Sequence, residues 1–587
     1  MKKILFTLLV ALCCCSVSAV PAYRGWLYFT QPDGSVIKLR QQGDEFCHWL
    51  SDEDGNAVEK GEDGYYHVVS PSFVQARKAA GRIRRAAVNS ARRSPAKAGV
   101  ASGQKHFLVI LVQFTDVQFN FSSGDAARQA FHNLLNQPGY SANGAHGSAR
   151  DYYYDNSHGV FEPIFDVYGP VTLAYDQAHY GGNDSQGLDL LPEDAVIEGC
   201  QALSSQINFS QFDNDNDGKV DLVFMYYAGK GEADGGGADC IWPHQWDLTS
   251  AGKSFTLGGK KIDSYACTNE LIGYGSLNGT MCGIGTACHE FGHAMGLPDF
   301  YDTDYDTFNG EAGGLYDYST MCSGSYNDEG RRPPYFNMEE RILLGWLNAS
   351  AITEITHSGT YSLTSVDDNV AYKSATDMDG EYFLYECRTK TGWDADIPEA
   401  GLIVYHVDKS TRQVQIYGRK VTAQNLWDNW ILYNSINENG SHPCFYVVPA
   451  GAQTNYNYSG IKFAFPGAAK KYEFTPISWN GVESEVKLSN IAFSSNTVSF
   501  FAEAPSVDLN YNVIENPGNG VYTAGASFAL NLIESTAQPV SSVQWYFDDE
   551  PVSGSSVPLS AGTHVVEAHL TLTSGETKIL ELTIVAQ

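Results

Sequence analysis

The sequence predicts a multidomain α+β protein: an α+β domain at its centre, a β-rich region behind it and a β-sandwich at its end. Three observations predict this. The chain has 587 residues, more than one hydrophobic core organises. It is 43% hydrophobic and 13% aromatic and carries 57 Gly, the composition of a globular chain rich in strands and turns. The periodicity also changes along it. Helical and strand patterns alternate up to residue 350, short strands follow over 351–504, and residues 505–587 alternate with period two.

Residues 1–19 read as an export signal: the basic start "MKK", the apolar run "ILFTLLVALCCC", too short to span a bilayer, and the small residues "SVSA", with cleavage after Ala19. A membrane anchor, or a lipid on one of Cys13 to Cys15, is the alternative. Residues 20–100 read as a propeptide. It begins with a strand-like unit punctuated by Asp-Gly turns. It ends in "ARKAAGRIRRAAVNSARRSPAKAG", with eight basic residues, no acidic ones and no aromatics. That composition cannot build a core, so it predicts a cleavable linker over Arg77 to Lys97. The charge supports a boundary here. Residues 1–100 carry 14 Lys and Arg against 9 Asp and Glu, whereas the rest carries 23 against 59.

Residues 101–350 open with the buried-type strand "HFLVILVQF" and continue through "KVDLVFMYYAG". Residues 351–504 contain short strands such as "GEYFLYECRTK" and "GLIVYHVDKS". Residues 505–587 read as an immunoglobulin-like β-sandwich with Trp545 in its core. The net charge of −31 excludes nucleic acid as a partner, since phosphates need Lys and Arg, and suits calcium sites. Of the 12 Cys, three fall in the export signal; no CxxC occurs, so a zinc ribbon is excluded, and in an exported chain some thiols can pair.

The chemistry concentrates in "HEFGHAMGLPDFYD". His289 and His293 are four apart, which puts both imidazoles on one helix face. Glu290 between them is placed to act as a base on water. Two imidazoles leave a catalytic zinc short of a ligand. Gly296 ends the helix in a left-handed turn, and the chain folds back to present Asp299. A bare HExxH arises by chance in a chain this long roughly 2 times in 100, and the added Gly and Asp make it about a hundredfold rarer. In "YDYSTMCSGSYN", Met321 sits in a turn of the kind that metzincins place beneath the metal. Tyr326 nearby is a candidate donor to an oxyanion. In "DNDNDGKVD", Asp213, Asp215, Asp217, the Lys219 carbonyl and Asp221 take positions one, three, five, seven and nine of a calcium loop. Position twelve is Phe224, so the loop is not a full EF-hand, and its role would be structural.

These stretches, with "ARDYYYDNSHGVF", "IWPHQW" and "EERILLGWL", resemble the immune inhibitor A-type secreted bacterial metalloproteases over residues 105 to 500. The resemblance implies a zincin catalytic domain, one catalytic zinc at His289, His293 and Asp299, Glu290 as the base, bound calcium, a propeptide, and a secreted or cell-surface enzyme acting on proteins or peptides. Asp299 departs from most metzincins, which use a third His. "DEFCHW" in the propeptide offers Cys47 and His48 as side chains that could plug the zinc, the alternative being a thiol buried in a hairpin. The rival from another class is a surface adhesin with a structural metal; Glu290 discriminates, because a structural site has no use for a base.

Overall fold

The computed structural model describes residues 17–18, 20–91, 101–184, 187–305, 312–416, 418–451, 461–504, 512–516, 521–535 and 538–587. The export signal lies outside them except for Val17 and Ser18. One compact unit runs to Ile352 and takes in Tyr361–Ser484 and Leu488–Phe500. The second gathers Thr353–Thr360, Glu485–Lys487 and Phe501–Gln587.

In the first unit, the Asp-Gly pairs turn the chain as expected. Strands Leu27–Thr30, Val36–Asp44, Cys47–Ser51, Ala57–Lys60 and Tyr66–Val68 each pair antiparallel with the next. Gly34, Gly55 and Gly64 adopt φ of 84°, 83° and 80° at the turns, the left-handed region such hairpins use. The basic segment behind them departs from the expected linker: Pro71–Ala91 is a helix. Ala, Arg and Lys all favour helix, and the basic stems supply the docking that an apolar face would otherwise give. Lys78 is buried with its ammonium 5.0 Å over the Trp49 ring. Arg77 donates to the His48 carbonyl at 3.0 Å and to Glu59 at 2.6 Å. Residues 92–100 lie outside the described residues.

The central sheet is built on Val223–Lys230, flanked in parallel by Gly103–Gln113 and Ser264–Leu271. Phe161–Thr172 extends it in parallel beyond Gly103–Gln113. His244–Asp247 adds an antiparallel strand beside Ser264–Leu271, and Val17–Ser18 pairs with its far side. Strands buried on both faces read as continuous apolar runs, which is why "HFLVILVQF" and "LVFMYYAG" were legible. The helix Gly285–Met295 packs on this sheet through Phe291, whose ring meets Phe107 edge-on at 4.7 Å and Phe165 at 5.2 Å.

Behind this region, Ala371–Ala375, Glu381–Arg388, Gly401–Asp408 and Phe445–Val448 form antiparallel neighbours in that order. Arg388 is fully buried, forks onto Asp394 with two 2.6 Å bonds, and donates to the carbonyls of Tyr318 and Tyr335. The β-rich region thereby braces the segment that carries Met321.

The second unit has a five-stranded sheet in the order Val521–Tyr522, Thr577–Ala586, Gly562–Leu572, Val540–Phe547, Glu550–Val552. Trp545 lies in its core with Phe528, Leu559 and Val566. The nine cysteines from Cys47 onward are all free, and eight of them are buried.

Candidate active site and metal centre

His289 and His293 stand one turn apart and fully within the protein. Their Nδ1 atoms meet the carbonyls of Thr320 at 2.7 Å and Leu297 at 2.8 Å. A carbonyl only accepts, so each Nδ1 carries its hydrogen and each Nε2 presents a lone pair. The two Nε2 atoms are 3.1 Å apart, and each is 3.2 Å from Asp299 Oδ1. That oxygen has no hydrogen-bond partner. Three lone-pair atoms in a buried triangle call for a cation. A tetrahedral ion with ligands at 2.0–2.1 Å separates them by about 3.3 Å. The donor set and spacing fit zinc.

The turn that delivers Asp299 follows from Gly296, at φ 112°, whose N–H closes onto the Gly292 and His293 carbonyls. Burial opposes ionisation of Asp299, but the two imidazoles outweigh it and hold its pKa below the usual carboxylate value. Asn434 completes its setting: it accepts from the Asp299 N–H at 2.9 Å and donates to Asp299 Oδ2 at 2.7 Å. Sequence reasoning missed Asn434. It stands 135 residues away in "LYNSIN", and nothing local marks it.

Met321 is fully buried under the helix. A Cβ on Gly292 would lie 2.5 Å from its Sδ, so the sulfur occupies the space that this glycine leaves. The preceding residue, Thr320, orients His289. Glu290 is buried, and its Oε1 accepts from the Val20 N–H at 2.8 Å. Burial pushes its pKa well above the usual carboxylate range, and the Asp299 and Glu45 charges add to this. The Val20 carbonyl accepts from Trp242 Nε1 at 3.2 Å, and the Pro21 carbonyl from the Tyr326 hydroxyl at 2.8 Å. Residues 20 and 21 therefore lie across the candidate base.

This corrects the reading of "DEFCHW". Neither Cys47 nor His48 joins the group formed by His289, His293 and Asp299. Cys47 is buried against the helix Pro71–Ala91, its Cβ 2.8 Å from where a Cβ on Gly81 would stand. His48 turns to Glu232 at 3.2 Å and stacks on Trp242. The hairpin fixes both side chains by its own register, and the extended stretch before it reaches Glu290 instead.

In "DNDNDGKVD", Asp213, Asp215 and Asp217 converge as a second group with metal-ligand spacing. Asp221 does not join them; its Oδ2 accepts from the Asn214 backbone and side chain at 3.0 and 2.7 Å. The Lys260 ammonium lies 2.5 Å from Asp213 Oδ2. Lys219 begins the short strand Lys219–Val220. A third group, Asp408, His442 and Cys444, carries the Arg412 guanidinium 3.6 Å from Asp408, a cation already in place.

A helix-borne pair of imidazoles, a returning carboxylate and a buried glutamate define a metallopeptidase-type centre. Residues 96–341 match the family model described as immune inhibitor A peptidase M6, catalytic domain. The stretch that carries the site is thus similar to that catalytic domain. It is 28% identical over 287 residues to Immune inhibitor A of Bacillus thuringiensis subsp. alesti, covering 42% of this chain and 41% of that protein. It is 31% identical over 215 residues to the pre-pro-metalloprotease PrtV of Vibrio cholerae serotype O1, covering 32% of this chain and 22% of that one. The matches span less than half the length of either relative. Among solved structures, catalytic inactive OgpA from Akkermansia muciniphila aligns over 85% of this chain and 96% of its own at 9% identity and a TM-score of 0.21, too slight a likeness to carry argument. No helix among the described residues is long and apolar enough to cross a membrane.

Proposed function

We propose that the protein is a secreted, zinc-dependent endopeptidase made as a zymogen. The observation that carries this is the lone-pair triangle of His289, His293 and Asp299 with Glu290 buried beside it. A zinc ion held there supplies Lewis acidity toward a peptide carbonyl and acidifies water. Glu290 takes the proton of the attacking water and returns it to the leaving nitrogen. Tyr326, whose hydroxyl donates to a peptide carbonyl in the cleft, serves as a second donor to the developing oxyanion. Latency comes from residues 20 and 21: while the Val20 N–H holds Glu290, the base is not free. Val20 is also the first residue left by cleavage after Ala19. Calcium on Asp213, Asp215 and Asp217 ties down the loop ahead of Val223–Lys230. A structural metal in an adhesin gives no reason for a carboxylate buried next to the ligands.

The test uses the full chain, nicked within residues 76–99, freed of its propeptide and incubated with a random peptide library. Internal cuts read by mass spectrometry, lost on chelation and restored by zinc, are expected. An intact library under every metal condition contradicts the reading.

A further inference from the structure

Glu232 is 4% exposed, and its Oε2 has no hydrogen-bond partner. The Oδ1 of Asp189 is likewise buried and without one. The two carboxyl groups bear on each other: burial pushes Asp189 well up, and the Glu232 charge adds to it. From the central domain itself come neutral donors, together with the charges of Glu193 and Asp184, which push Asp189 the same way. Asn183 Nδ2 donates to Glu232 at 2.8 Å, and the Trp242 N–H donates to Asp189 at 2.9 Å. The cation comes from the propeptide. His48 Nε2 lies 3.2 Å from Glu232, with its ring stacked on Trp242 at 4.6 Å and 22°. Arg77, paired with Glu59 within the propeptide, stands nearby: its Cζ is 3.2 Å from where a Cβ on Gly187 would be. Removing the propeptide takes away the His48 imidazole that faces Glu232.

We propose that Asp189 and Glu232, with the face of Trp242, form a substrate subsite for a planar cationic side chain, arginine, which His48 fills in the precursor. This rests on the peptidase reading above. The place is right. Trp242 Nε1 holds the Val20 carbonyl, and the Val20 N–H holds Glu290, so the subsite lies one residue from the base. The occupant is also right. His48 reaches the site as a flat side chain on a peptide, and a guanidinium stacks on indole while pairing with carboxylate in the same way. An ammonium can sit over the ring but has no flat face to lie against indole and no fork to offer a carboxylate, and a bare divalent ion makes no use of the Trp242 face. The chain's own segment 76–99, with eight basic residues and no acidic one, is a substrate of this class.

The nicked full chain, freed of its propeptide, is given peptides identical except for arginine or citrulline at one scanned position. At one position kcat/KM should favour arginine by about tenfold or more, the size of effect that a fixed charge pair gives. Glu232→Gln and Asp189→Asn should each pull that ratio toward one while the citrulline peptide is still cut. Peptides cut with no arginine preference at any position overturn the subsite and leave the peptidase standing. No cutting of any peptide overturns both. In the uncut precursor, His48→Arg should stay as latent as wild type and His48→Leu should release activity more readily; identical behaviour of the two contradicts the proposal.

Discussion

Asp299 takes its orientation from one distant side chain. Asn434 grips both its backbone N–H and its free oxygen, so Asn434→Ala should weaken zinc retention about 10- to 100-fold, the usual range for partners of metal ligands. Competition with a chelator of known affinity measures this, and unchanged retention would show that Asp299 needs no help. Gly292→Ala probes the other side of the helix. The added methyl meets Met321 Sδ in a filled interior, and overpacking of this kind costs about 1–3 kcal/mol in denaturant unfolding. Gly292→Ala with Met321→Ala should recover part of it. The ligands were legible because one helix and its turn carry them, with spacing set by 3.6 residues per turn. Asn434 was not, since its role depends on a fold-back that no local pattern encodes.

The hairpins over Leu27–Val68 and the buried strands followed from Asp-Gly turns and apolar runs. The helix Pro71–Ala91 did not, because basic composition was read as linker while helix propensity pointed the other way. Of the two readings of Cys47, the structure agrees with a thiol buried in a hairpin, since zinc-binding chemistry says nothing of where a hairpin aims a side chain. Cys47→Ser should therefore leave the precursor latent, and an active uncut variant would restore the thiol plug. For the acidic loop, calcium should raise the melting temperature of the wild type but not of Asp215→Ala with Asp217→Ala. Because the Lys260 ammonium already neutralises Asp213, Lys260→Ala should lower the calcium concentration needed. An equal rise in all three proteins would reduce "DNDNDGKVD" to a turn.

On the scale of the whole molecule, the matched family region ends at residue 341, yet the site draws on Asn434, and Arg388 braces the segment around Met321. Both come from the β-rich region, so that region contributes to the candidate site rather than standing apart from it. The order of regions was legible from changes in periodicity, but this mutual dependence was not, because it is made of single long-range contacts. The proposed function stands on Glu290 acting as a base beside a metal held by His289, His293 and Asp299. Its most direct test is Glu290→Gln in the nicked chain freed of its propeptide, with zinc content and peptide turnover measured on one preparation. The account predicts zinc retained at the wild-type level and kcat reduced by about 10²- to 10⁴-fold, the range for a lost general base. Turnover like wild type with zinc bound would contradict it.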